Sequence, residues 1–211
     1  MGESAGAMAV SADAVKRLRD LTGAGYMDCK RALEETGGDE EKARILLRER
    51  GQAAVAKRAG RVASEGRVEA YIHGDGRVGV LIEVNCESDF VANTDEFQAL
   101  ARDLAIQVAG HNPLWVSRDD VPEEELAQER KIYEAQARDE GKPDNVIPRI
   151  VEGKLDAFLK ERCLMEQPFF RDLEGKRTVG DLIAEAGAQM KENIVVRRFM
   201  RFERGKDTSG G

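Results

Sequence analysis

RVEAYIHGDGRVGVLIEVNCESDFVANTDEFQALARDLAIQVAG, residues 67–110, changes its hydrophobic period once, and that change sets the fold class. In the first half Val68, Ala70 and Ile72 alternate with Glu69, Tyr71 and His73. Gly74-Asp75-Gly76 then supplies a turn, and Val78, Val80, Ile82 and Val84 resume the alternation. Successive strand side chains point to opposite faces, so a period of two around a glycine-bearing turn predicts a β-hairpin over 67–85 with one covered face. Beyond Ser88-Asp89 the spacing changes. Phe97, Leu100, Ala101, Leu104, Ala105 and Val108 recur at three- and four-residue steps, which puts them on one stripe of a helix over 95–109. That helix is expected to lie on the sheet.

Upstream, residues 10–52 read as three short helices. Ser11 can cap the first, which carries Val15, Leu18 and Leu21 on one stripe and ends at Thr22-Gly23-Ala24-Gly25. The second runs from about Tyr26 to Glu35 and packs Cys29, Ala32 and Leu33; Gly37-Gly38 stop it. Asp39 caps a third that carries Ala43, Leu46 and Leu47 before Gly51. The Ala-, Gly- and Arg-rich stretch 53–66 lacks an apolar face and reads as a basic linker helix, with a domain boundary near residue 55.

Downstream lies the rest of an α+β core over 67–205. Glu123–Asp139 and Val146–Arg162, joined through Gly141-Lys142-Pro143, predict a projecting helical hairpin within 122–162. A last helix begins at Thr178. Ile194, Val196, Met200 and Phe202 then alternate as a final strand, closing the 178–203 segment and completing a small antiparallel sheet. Residues 1–9 and 206–211 are small and polar and read as disordered ends.

Composition narrows the function classes. The 211 residues are 41% hydrophobic, 35% charged and 5% aromatic, which suits a globular chain with exposed helices and argues against an aromatic-lined cofactor pocket. The net charge of −7 opposes binding nucleic acid by phosphate neutralisation alone. No apolar run reaches the ~18 residues of a membrane span, and the start lacks an apolar signal core. Cys29, Cys86 and Cys163 are dispersed, without a CxxC. These features together predict a reducing, cytoplasmic setting and no membrane association.

Catalytic motifs are missing. His73 and His111, the only histidines, stand outside any GxSxG or HExxH context, and no phosphate-cradling glycine loop is present. No enzyme activity, cofactor or metal site is expected. The unusual segment is Glu83–Asn93, EVNCESDFVAN. It leaves a strand, turns through Glu87-Ser88-Asp89, and then places Phe90 and Val91 where a connector would be polar. Two readings stay open: Ser88 or Asp89 caps a turn while Phe90 plugs the sheet end, or Asp89-Phe90 is an apolar wedge with a charge beside it, made to enter a partner's groove.

Two tracts, LRDLTGAGYMDCKRAL (Leu18–Leu33) and EVNCESDFVAN, resemble the two signatures of the translation elongation factor Ts family, in the expected order. GKPDNVIPRIVEGKLDAFLKE, QPFFRD (Gln167–Asp172) and NIVVRRFMRFERG are also similar to that family, so the resemblance spans about Val10 to Gly205. It implies a UBA-like N-terminal subdomain and guanine-nucleotide exchange on the GTPase elongation factor Tu. The exchange wedge would be Asp89 and Phe90, flanked by Ser88 and Val91, with Glu83–Cys86 as the strand that keeps it rigid. Gly25, Met27 and Lys30 would grip the nucleotide domain, and His73 would lie on a hairpin that touches the partner.

This chain departs from the family at two points: Ser88 stands for the usual threonine, and Tyr26 interrupts the usual glycine–methionine run. A single sheet-plus-helix unit marks the short form of the family, for which a homodimer would supply a second core. A competing reading, an RNA- or ribosome-associated protein, rests on Lys57, Arg58, Arg61 and Arg67 and on Arg197, Arg198 and Arg201. A general protein-docking module is a third, and it leaves Asp89-Phe90 without a role.

Overall fold

The computed structural model describes residues 10–206; the ends expected to be disordered lie outside them, apart from Lys206. Its α+β class is the one expected: N-terminal helices, a three-stranded antiparallel sheet with helices packed on it, and a helical hairpin.

The sheet is built from β1 (Glu65–His73), β2 (Val78–Cys86) and β3 (Val195–Glu203), with β2 in the centre. Helix α5 (Asp95–His111) covers one face, and its Phe97, Ala101, Leu104 and Val108 are buried against Val78, Val80, Ile82 and Val84 of β2. Thr94 caps α5, its hydroxyl accepting from the Phe97 amide at 3.2 Å. Helix α8 (Val179–Met190) completes the core with Val179, Ile183 and Ala186.

Two strands face differently from the simple alternation. In β1 it is Tyr71 that turns to the covered side, opposite Val80, while Val68, Ala70 and Ile72 look outward. Arg102 of α5 explains the choice: it bonds Glu69 at 3.2 Å and the Ala70 carbonyl at 2.8 Å, and lies 4.8 Å over the Tyr71 ring. In β3 Val196 is buried, but Met200 and Phe202 are exposed. The register against β2 slips by one at Glu83/Val84, because Val196 pairs with Val84 and Arg198 with Glu83. The extra residue, Arg197, inverts the alternation beyond it.

The N-terminal unit comprises α1 (Ala12–Thr22), α2 (Tyr26–Glu35) and α3 (Glu40–Arg58) around Val15, Leu18, Cys29, Ala32, Leu33 and Ala43. Leu21 is 71% exposed rather than inward. Past Leu18 the inner position passes to Thr22, whose hydroxyl donates to the Leu18 carbonyl at 2.7 Å. The third helix does not stop at Gly51; it runs through it to Arg58, and residues 59–64 alone form the non-helical link to β1. An interior glycine costs a helix about 1 kcal/mol. Packing of this stretch on α8 offsets that, with Arg48 bonding Asp181 at 2.8 Å and Arg58 the Gly187 carbonyl at 3.4 Å.

Helices α6 (Glu123–Asp139) and α7 (Ile147–Arg162) form an antiparallel hairpin with its own small core of Ala137, Ile147, Val151 and Leu155. Trp115 meets Phe158 edge-on near its root. A single α-helical turn, α4 (Asp89–Ala92), follows β2.

Gly66 of β1 sits opposite Asn85 at φ 140°, where a Cβ would lie 2.2 Å from the Val84 carbonyl oxygen. That backbone region is essentially closed to other residues. Gly66→Ala is expected to lower stability by about 3 kcal/mol in urea unfolding, through strain and overpacking together; a midpoint equal to wild type would refute the close approach.

Candidate partner-docking site

The alternation of β2 ends at Cys86, which is fully buried, and the chain has two residues in which to leave the strand before a helical turn begins. Ser88 takes extended backbone angles (φ −129°, ψ 149°) and caps α4, its hydroxyl accepting from the Val91 amide at 3.4 Å. Consecutive helical residues diverge by about 100°, so one turn can send neighbours opposite ways. Val91 and Ala92 enter the core, whereas Phe90 is 79% exposed with Asp89 exposed beside it. Val91 is therefore the plug of the sheet end. Asn93 closes the turn, its side-chain amide donating to the Asp89 carbonyl at 2.8 Å.

Two residues that give no local sequence signal, Glu192 and Asn193, hold this corner from beneath. One oxygen of Glu192 accepts from the amides of Glu87 at 3.0 Å and Ser88 at 3.2 Å, and its other oxygen accepts from the Ser88 hydroxyl. In return Glu87 accepts from the Asn193 amide at 2.7 Å. These partners are more than a hundred residues apart in sequence, so only the fold reveals them. Burial, assisted by the charge of Glu192, pushes the Cys86 thiol up to about 11. Cys163 is also pushed up to about 11, by burial and then by Glu166, and burial raises Cys29. Such thiols are protonated at neutral pH and are poor nucleophiles.

The other sequence-predicted positions are on the surface but elsewhere. Gly25 is the N-cap residue just before α2, and Tyr26 and Met27 are exposed on its first turn. Lys30 is half-buried, 3.7 Å from Glu34. His73 ends β1 and shares a 2.9 Å hydrogen bond with the Tyr71 hydroxyl. Since Glu65 pairs with Cys86 and His73 with Val78, His73 lies at the opposite end of the hairpin from the corner, roughly 26 Å away at strand rise. The site residues thus form separate points of a broad surface, not one pocket.

A cleft of about 940 Å³ does lie between the N-terminal unit and α8. Much of its charged lining is already paired, as in Arg48–Asp181 at 2.8 Å and Arg31–Asp28 at 2.5 Å. Among the described residues no cluster of His, Cys, Asp or Glu could hold a metal, and no helix is long and apolar enough to cross a membrane.

The family model described as Elongation factor TS matches residues 33–206. Elongation factor Ts of Caldanaerobacter subterraneus subsp. tengcongensis is 60% identical over 197 residues, which cover 93% of this chain and 98% of that protein. Elongation factor Ts of Thermoanaerobacter sp. (strain X514) is 59% identical over 197 residues, covering 93% and 96%. That of Coprothermobacter proteolyticus is 55% identical over 199 residues, covering 94% and 100%. With the match running through the sheet, the corner and the helical hairpin at this identity, the chain belongs to the elongation factor Ts family.

Proposed function

We propose that this chain is a guanine-nucleotide exchange factor that binds elongation factor Tu in its GDP form and promotes GDP release during translation. Asp89 and Phe90 are the working tip, and Gly25, Met27 and Lys30 with His73 are further contact points. The observation that carries this reading is an exposed phenylalanine on a corner whose flanking residues, Cys86, Val91 and Ala92, are all buried. An exposed apolar side chain on a frame that cannot yield suits insertion between a partner's helices. Displacing the groups that hold Mg²⁺ and the β-phosphate of the GTPase then needs no covalent step.

Linkage sets the rest of the mechanism. Whatever ratio the factor imposes on nucleotide affinity, nucleotide imposes on factor affinity. The factor therefore binds the empty GTPase most tightly, incoming nucleotide expels it, and the GDP/GTP balance is left to their concentrations.

Most of the basic residues behind the RNA reading have acidic or carbonyl partners within the fold, which weighs against that reading. Arg61 lies 3.4 Å from Glu87, Arg67 3.0 Å from Glu69, Arg198 2.7 Å from Glu83 and Arg201 2.9 Å from Glu203. Few free cations remain there for phosphates.

The outward sheet face supports a second copy of the chain as a further partner. Ile72 is 66% exposed, and Val68, Leu81, Met200 and Phe202 are exposed with it. The register sets Ile72 and Phe202 on either side of Gly79, and Leu81 beside Met200, so these side chains make one apolar patch. Laid against the same patch of another copy, it would be covered on both by a single two-fold contact.

Stopped-flow release of fluorescent GDP from elongation factor Tu tests exchange: the chain should accelerate release, and an unchanged rate would refute the reading. Phe90→Ala should slow exchange while stability stays within about 0.5 kcal/mol of wild type, as for an exposed site. Val91→Ala should instead cost about 1–2 kcal/mol of stability. For the pairing, light scattering at micromolar concentration should give twice the chain mass, reduced to one by Leu81→Glu; a monomer mass for the unaltered chain would exclude the dimer.

A further inference from the structure

We infer that Glu192 is a positioning residue for exchange: its carboxylate fixes Ser88-Asp89-Phe90 in the attitude in which Phe90 meets the partner. The inference rests on the exchange reading and names the group through which the tip is held.

Three donors converge on this one side chain, the amides of Glu87 and Ser88 and the Ser88 hydroxyl. The two amides lie between the end of β2 at Cys86 and the start of α4 at Asp89, where neither strand nor helix supplies a partner. A buried or half-buried amide left unpaired would draw the backbone toward water and let the corner open. Glu192 also settles the cap itself. Because the Ser88 hydroxyl donates to Glu192, its lone pair is left for the Val91 amide at 3.4 Å, which begins the turn that throws Phe90 outward.

The knot is reciprocal. Glu87 accepts from the Asn193 amide at 2.7 Å, so residues 87–88 and 192–193 hold each other. The Asn193 side chain, buried, donates to the Arg61 carbonyl at 2.9 Å, and Asn85 donates to the Ala63 carbonyl at 3.2 Å. The link that carries the N-terminal helices is thereby tied to the same place. Lys191 ends α8 at φ 59°, a left-handed conformation rare for a side-chain-bearing residue, and that turn leads the chain into Glu192. Glu192 is itself half-buried beneath the corner and acts through Ser88 and the backbone.

The test compares wild type, E192A, E192Q, F90A and the double variant E192A/F90A in GDP release from elongation factor Tu, over a range of factor concentration. Loss of a charged acceptor with three donors is expected to slow release at saturating factor about tenfold in E192A. E192Q keeps an oxygen for the two amides and should return to within about threefold of wild type. Because Glu192 works only through the tip, E192A/F90A should be no slower than F90A. Amide hydrogen exchange at Glu87 and Ser88 should accelerate in E192A while the amides of β2 and α5 keep their protection. Release by E192A at the wild-type rate, or the two substitutions multiplying in effect, would overturn the proposal. Should E192A fail to fold, S88A, which removes the hydroxyl's bond to Glu192 together with its cap on the Val91 amide, takes its place in the same cycle. A wild-type chain without effect on release refutes the exchange reading; unchanged amide exchange in E192A refutes the clamp.

Discussion

Burial of the inward residues of β2 beneath α5 governs the molecule. Val80, Ile82, Val84 and Cys86 are almost wholly removed from water, and Phe97 and Leu104 close over them. At about 25 cal/mol per Å² of apolar surface, each such side chain contributes on the order of 2 kcal/mol. The strand register follows, because slipping β2 by one residue would expose the whole set. So does the corner. Cys86 is pinned at the end of the strand and Phe97 at the start of α5, and the ten residues between them have little freedom. The outward aim of Phe90 is a consequence of where Val91 must go.

Much of this was legible in the residues. The change of period between Val84 and Phe97, the Gly-Asp-Gly turn and the caps at Ser11 and Asp39 each have a local cause, and the structure shows them in place. Those causes act over a few residues, so a sequence displays them. The three-helix start and the α+β class follow from the same kind of signal.

What escaped depends on distance. Alternation in β1 tells that Val68 and Ile72 share a face, yet not which face is covered; Arg102, thirty residues on, decides that. Beyond Arg197 the phase of β3 inverts through a one-residue slip that no residue type announces. Gly51 signals a helix end, and packing on α8 overrides it. The plug and the wedge could not be told apart from EVNCESDFVAN alone, since the sequence does not say whether Phe90 turns into the sheet end or away from it; the structure gives the plug to Val91. Glu192 and Asn193 were invisible for the same reason: a carboxylate that caps two amides more than a hundred residues away has no motif.

That clamp matters because an apolar tip works in proportion to its rigidity. Ordering a residue's backbone costs about 1–2 kcal/mol, so a corner that became fixed only on binding would forfeit roughly 3–6 kcal/mol over Ser88, Asp89 and Phe90. That is a factor of about a hundred to ten thousand in affinity, comparable with what one well-seated aromatic anchor supplies. A loosely held Phe90 would gain almost nothing by entering a groove. The same phenylalanine on a corner held by Val91 from within and Glu192 from beneath would, on the exchange reading, deliver its contact energy to the partner. On the exchange reading, the strain that loosens the nucleotide must appear in the softer of two bodies, and the pairing of residues 87–88 with 192–193 keeps this chain from being that one.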